Sequence, residues 1–268
     1  MTPVPSLRAK RSCQRIGRWL VSFVFFIAAL AVPAADAPVL KICLLSAAAE
    51  YESDKSLGEF QSHLESHYRV TCQRSFGKDK GEGLPNLEAL DSADLMIVFM
   101  RRVTLPAEQL DRVQKYLASG RSVIGIRTAS HAFQNYPEFD GDILGGSYKG
   151  HYNNDPVAVR LSIGRASHPV LAGVTNITSR KLYKNPTLAD DVVVLLEGTT
   201  ATDREPVAWV RESKGARVFY TSLGTQEDFT QDGFRQLLVN ALFWTTHRDE
   251  SEMRRSKSTA KPATSGNP

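Results

Sequence analysis

Residues 93–100 read ADLMIVFM, an apolar run broken by a single charge near its start. Apolar and polar residues do not alternate along it, so a strand built from it must be covered on both faces. A short run of that kind belongs in a sheet flanked by helices. VLKICLLS (39–46) and RSVIGIRT (121–128) have the same character, and YRVTCQRS (68–75) supplies a further strand. Helical patterns separate them. KSLGEFQSHLESHY places Leu57, Phe60 and Leu64 on one stripe behind Asp54 as the expected cap. LPAEQLDRVQKYLASG puts Pro106 in its first turn, Leu110, Val113 and Leu117 on one face, and Gly120 at its end. Strand–helix–strand steps of about thirty residues predict an α/β fold: a three-layer sandwich with a mostly parallel central sheet.

The second half is richer in strands. PVAVRLSI (156–163), VVVLLEG (192–198), PVAWVRE (206–212) and ARVFYTSLG (216–224) are strand candidates. DGFRQLLVNALFWTTH closes with Phe234, Leu237, Leu238, Ala241 and Leu242 on one helical stripe. No internal repeat and no second domain is visible. One domain over 38–247 and a disordered, charged tail over 248–268 are expected.

Residues 1–37 are expected to be a signal peptide. Arg8, Lys10, Arg11, Arg15 and Arg18 precede the apolar run WLVSFVFFIAALAV, and small residues suited to cleavage follow near Ala34 and Ala37. The competing reading is an uncleaved anchor, but the run is shorter than the roughly 20 residues a spanning helix needs. Of 33 basic residues, those five leave with the leader, so 28 face 29 acids when cleavage falls at Ala34, ahead of Asp36, and the mature chain is close to −1. The charge gives no reason to expect nucleic acid as a partner, and after cleavage no membrane is expected either. A periplasmic or secreted protein is the expectation, and a homodimer stays open. Cys43 and Cys72 remain, each central in a strand, and are expected as two buried thiols rather than a disulfide or a nucleophile.

In sheets of this class the ligand crevice lies beyond the carboxyl ends of the strands. The residues that follow those ends are Glu50 and Tyr51, Arg101 and Arg102, Arg127 and His131, and Thr225 to Asp228; the loop 139–155 adds Tyr148, His151 and Tyr152. Each has a plain structural alternative: paired surface arginines, loop-packing tyrosines, a glutamate serving only a helix dipole. His131 and His151 stand twenty residues apart, without the local spacing of zinc motifs, so no metal is expected. No cofactor is expected.

GIRTASHAF, LGGSYKGHYNN, HPVLAGV, LYKNPTL and PVAWVRESKGARVFYTSLGTQEDF, closed by FRQLLVNALFW, occur in order over about 39–246. Together they resemble the ThuA-like (trehalose utilisation) family. The resemblance implies the flavodoxin-like fold of class I glutamine amidotransferases and a link to sugar catabolism. In amidotransferases the bend after the equivalent strand carries G-x-C-x-G, with a cysteine nucleophile. Here the five positions are Gly125 to Ala129, with Arg127 where that cysteine would stand, so glutamine amidotransferase chemistry is excluded. A fixed cation there suits oxygen recognition.

The family histidines near Arg127 and after YTSLG are absent, the latter replaced by Thr225. His151 matches the family's loop histidine and is the first choice as general acid or base, with His131 as substitute. The sequence reading is therefore a protein acting on a carbohydrate, such as a keto-glycoside, by hydrolysis, elimination or isomerisation. His151, His131, Arg127 and Glu50 are its catalytic candidates. Arg101, Arg102, Tyr51, Tyr148, Tyr152 and Asp228 are its substrate contacts. The alternative is a non-catalytic carbohydrate-binding or interaction protein on the same fold.

Overall fold

The computed structural model describes residues 38–213 and 215–255. The expected leader, and with it export, lies outside the described residues. The strands are β1 (Leu40–Ala47), β2 (Val70–Phe76), β3 (Leu95–Met100), β4 (Ser122–Ile126), β5 (Pro156–Leu161), β6 (Thr178–Arg180), β7 (Val193–Thr199), β8 (Arg204–Ser213) and β9 (Ala216–Thr221). They form one sheet in the order β2-β1-β3-β4-β9-β8-β7-β5-β6. The first five pair in parallel. The pairings from β9 outward to β6 are all antiparallel.

The expectation of a mostly parallel sheet is corrected to a mixed one. The first half has the flavodoxin-like order, in which long crossovers feed parallel strands. On the far side of β4 in the sheet, β7, β8 and β9 follow one another through short hairpins, which can only join antiparallel strands. β8 and β9 are joined directly at 213–216, Ser213 pairing with Ala216.

Two apolar layers sandwich the parallel half. On one face, Leu57, Phe60 and Leu64 of α1 (Ser53–His67) pack with Leu40, Ile42 and Leu44 and with Phe234, Leu237 and Leu238 of the C-terminal helix Asp232–Thr245. On the other, Val113 and Tyr116 of α2 (Ala107–Ala118) meet Cys43, Leu45, Met96 and Val98, together with Phe133, Phe139 and Leu144 from the long loop. Numbering continues with α3 (Gln226–Phe229), α4 for that C-terminal helix, and α5 (Glu250–Met253). Cys43 and Cys72 fall in opposite layers, as their register one step out of line requires. Both are free and buried, and burial pushes both thiols up to about 12.

Two local expectations change. Glu52, at φ +45, is the residue that precedes α1, not Asp54; Asp54 lies in the first turn and accepts from Ser46 Oγ at 2.6 Å. The expected disorder over 248–268 is corrected for 248–255, because α5 buries Met253 completely and the Met253 carbonyl accepts from Arg69 N at 2.7 Å; the rest of that expectation lies outside the described residues. Among the described residues no helix is long and apolar enough to cross a membrane.

Candidate functional site

β4 ends in Gly125 and Ile126, and the chain then bends through a five-residue 3-10 turn, Arg127–His131. Gly125 is required there, since a Cβ would lie 2.9 Å from Leu144 and 3.0 Å from the Tyr220 ring. Arg127 takes φ +48, a left-handed conformation that is uncommon for a long side chain. Three more non-glycine residues at this end of the sheet also have positive φ: Glu52, Arg102 and Lys181. Outliers of this kind concentrate where a surrounding fold over-determines a functional geometry.

Arg127 is only 1% exposed. Its guanidinium lies between two rings, 4.4 Å from the Tyr51 centroid and 4.8 Å from that of Tyr183, and Nη1 donates to Ser222 O at 2.8 Å. Nε has no partner. The expectation of a guanidinium presented openly to substrate is therefore corrected: Arg127 braces two tyrosines, and its charge is felt through them.

Tyr183 is the hub of the cluster. Its ring stands 4.7 Å from Tyr148, 6.3 Å from His131 and 6.5 Å from His151. His131 stacks on Tyr148 at 4.5 Å and 14°, with Ser130 Oγ 3.0 Å from its Nδ1. The structure thus brings Arg127, His131, Tyr148 and Tyr51 to one rim, as the sequence suggests, around a tyrosine that reasoning from strand ends does not reach. Tyr183 lies in LYKNPTL, a stretch noticed for resemblance alone; an aromatic amid polar residues was its only local signal.

Two hollows flank this aromatic wall. The first, about 410 Å3, is lined by Arg102, Ser130, His131, Asp140, Tyr148 and Lys149 among others. The second, about 210 Å3, is lined by Glu50, Tyr51, Arg127, Asn154, Arg180, Lys181 and Thr225 among others. A wider hollow of about 500 Å3 beside Trp244 lies at the opposite rim, where α4 ends against the start of β4 through a Ser122 to Thr245 hydrogen bond. Strand topology makes the first two the expected ligand edge.

Asp140 is the other residue that strand-end reasoning misses. Its carboxylate is 7% exposed, with Oδ2 accepting from Tyr148 N at 2.7 Å and Oδ1 without a partner. Gly146 makes room for it, because a Cβ there would stand 2.6 Å from Oδ1. Burial pushes its pKa up to about 6, against the Tyr148 N–H and Lys149. Burial pushes His131 the opposite way, down to about 4, helped by Arg102 and Arg101, so its imidazole is neutral at pH 7. The two groups share the first hollow with proton affinities displaced toward each other.

The remaining candidates divide. Glu50 bridges Lys181 Nζ at 2.8 Å and Arg101 Nη1 at 2.9 Å. The Lys181 hydrogen bond holds its carboxyl below the usual carboxylate range, against desolvation and with help from both cations. Arg101 also faces Asp79 at 3.6 Å and is thus a strut, not a free substrate contact. Arg102 is exposed on the first hollow, its N–H donating to His131 O at 2.8 Å.

His151 is exposed and lines neither hollow; its Nδ1 lies 2.6 Å from Tyr152 O. It is therefore not brought into the hollow that His131 lines. Tyr152 points away from the hollows, donating to Glu205 at 2.9 Å with Lys184 over its ring. Asp228 is wholly buried and caps α3 instead of meeting substrate. Its Oδ2 accepts from Gly224 N, Thr225 N and Ser179 Oγ, and Thr225 completes the capping box. Among the described residues no group of three or more His, Cys, Asp or Glu side chains is placed to hold a metal ion.

Comparison with known proteins agrees with this picture. The family model described as trehalose utilisation (ThuA) matches residues 46–245. A ThuA-like protein from Bacteroides uniformis ATCC 8492 superposes with a TM-score of 0.61 at 20% identity, over 82% of this chain and 97% of that one. Another from Parabacteroides merdae ATCC 43184 gives 0.60 at 18%, over 82% and 92%. Agd3, a carbohydrate deacetylase, gives 0.52 at 13%, over 78% of this chain and 32% of that one. At these identities the likeness is one of fold. No curated protein sequence matches.

Proposed function

Since the chain belongs to the trehalose utilisation (ThuA) family, we propose that it is an exported carbohydrate-processing protein that moves a proton on a sugar substrate without a thiol nucleophile. The observation that carries this is that Asp140 and His131 line one rim hollow, the carboxyl raised to about 6 and the imidazole lowered to about 4. A base works best with a pKa near the working pH, and a neutral imidazole can donate a hydrogen bond without giving up its proton. The basic-then-apolar stretch over 1–37 supports export to the periplasm or beyond.

On a keto-glycoside the steps balance simply. The Asp140 carboxylate takes the proton from the carbon beside the carbonyl. The electron pair of that C–H bond moves onto the carbonyl oxygen as an enolate. In the tautomer in which Ser130 Oγ donates to Nδ1 of His131, the ring proton sits on Nε2 and donates to that oxygen. The enolate then collapses by expelling the neighbouring glycosidic oxygen, or, once the hydroxyl proton on the deprotonated carbon has passed to the enolate oxygen, by taking the carbon-bound proton back at the former carbonyl carbon. Asp140 returns the proton in either case. Tyr148, stacked on His131, offers the sugar an apolar face, and Arg127 keeps Tyr183 and Tyr51 in register behind it.

Asp140→Asn and His131→Gln should each lower turnover of a keto-disaccharide by about 10²–10⁴-fold while the protein remains folded. Undiminished turnover in both variants would refute the assignment. Stabilisation of the wild-type protein by sugars with no product would favour the carbohydrate-binding reading.

A further inference from the structure

The cations of the rim are unevenly matched. Arg101 and Lys181 are spoken for, since both pair with Glu50 and Arg101 also with Asp79. Arg102 and Lys149 line the first hollow with exposed side chains, and among the described residues neither side chain forms an ion pair or hydrogen bond. Among the described residues, the only acid lining that hollow is Asp140. Arg102 is held there by its own backbone, whose N–H donates to His131 O at 2.8 Å. The hollow therefore presents two cations and one buried carboxyl around Tyr148, Ser130 and a neutral imidazole.

Resting on the carbohydrate reading above, we propose that the first hollow takes an anionic sugar, its carboxylate or phosphate set between Arg102 and Lys149 and its ring against Tyr148. A neutral sugar would leave both cations without a counter-charge in a partly desolvated hollow, whereas an anion answers both and is attracted before contact. The local field supports this: Arg102 and Arg101 both push His131 toward its neutral form, and Lys149 opposes the rise of Asp140. The second hollow differs, because two acids line it: Glu50, which already pairs with Lys181, and the exposed Glu227.

Calorimetric titration of the mature chain with glucuronate, glucose, glucose 6-phosphate and inorganic phosphate tests this. The sugar acid or the sugar phosphate should bind at least about 10-fold tighter than glucose at low salt, with the difference shrinking as salt rises. Which of the two binds tighter identifies the anionic group. Arg102→Gln and Lys149→Gln should each remove most of that difference, and Arg180→Gln in the second hollow should leave it intact. Since a folding defect would blur the first two variants, the His131 ring can be followed by NMR in the wild-type protein. Its pKa should rise on binding the sugar anion, because the ligand offsets Arg102.

Equal affinity for glucose and both anions would overturn the proposal and leave the carbohydrate reading standing. Inorganic phosphate binding as tightly as glucose 6-phosphate would overturn it as a sugar site and take the carbohydrate reading with it. No binding by any of the four would also overturn both.

Discussion

β3 and β5 have six residues each and both carry valine and leucine, yet every residue of β3 is buried, whereas β5 buries only Val157 and leaves Leu161 50% exposed. The difference lies in what covers them. β3 sits mid-sheet in the parallel half, with α1 and α4 on one side and α2 on the other. β5 sits near the far edge of the antiparallel extension, where one face remains open. The parallel half is a scaffold whose strand ends aim Glu50, Tyr51, Arg102, Arg127 and His131 at one rim. The extension and the loop before it supply Tyr148, Tyr183 and Lys181, which close that rim into hollows. Neither half holds a site alone.

The seam should be the most sensitive point. Trp209 of β8 is fully buried, holds its ring 4.5 Å from that of Tyr220 of β9 at a 43° tilt and donates to Leu144 O at 2.7 Å, which fixes the loop carrying Asp140. Trp209→Ala should cost about 3–5 kcal/mol in denaturant unfolding. Val159→Ala in half-buried β5 should cost under about 1 kcal/mol. Equal losses would mean that the extension is packed as tightly as the scaffold.

The next largest effect is in pH dependence. The folded pKa of Asp140, raised to about 6, means that protonation favours the fold. Its contribution is fully present below the unfolded value near 4 and is lost as pH rises to about 6. The folded pKa of His131, lowered to about 4, works the other way: its contribution is present above the unfolded value near 6.5 and is lost as pH falls toward 4. Each is worth on the order of 3 kcal/mol, and together they nearly cancel between pH 4 and 6. Asp140→Asn should leave stability rising with pH across that window, and His131→Gln should leave it falling. Parallel profiles in the two variants would show that the groups do not share one environment.

Arg127 separates function from stability. Burying a cation with no carboxylate in ion-pair range costs several kcal/mol, which the two tyrosine faces and Ser222 O offset. Arg127→Met should therefore change stability by less than about 1 kcal/mol, while weakening ligand binding because Tyr51 and Tyr183 lose their brace. A large stability loss with binding intact would reverse that assignment. The smallest effect is expected at the strut between the halves. Lys181→Gln, which leaves the partly exposed Glu50 paired with Arg101 alone, should cost about 0.5 kcal/mol, and the loss should shrink at high salt.

The parallel half was legible because a strand covered on both faces must be apolar throughout, and helices between such strands force parallel pairing. LMIVFM and SVIGI satisfy that condition, and their strands lie where the runs do. The extension was legible as strands but not in its direction, because periodicity does not encode which neighbour a strand will choose. β6 is three residues long and carries too little pattern to be seen. In the site, Arg127 and His131 were found because strand ends can be counted. The burial of Arg127 could not be, since it depends on Tyr51 and Tyr183, which meet only in the folded chain. Asp228 reads as a free acid after a strand; the capping box that buries it needs the αβ turn to exist first. Asp140 was missed because a loop acid shows its raised pKa only when the loop folds over it.

The central claim is that the two halves of the sheet jointly hold a sugar at the rim where Tyr183 meets Tyr148. A crystal structure of the mature chain with a sugar acid bound tests it most directly. Density in the first hollow, within hydrogen-bond distance of Asp140 or His131 and against the Tyr148 ring, is the predicted result. A ligand seated instead beside Trp244 at the opposite rim, with the first hollow filled only by water, would contradict it.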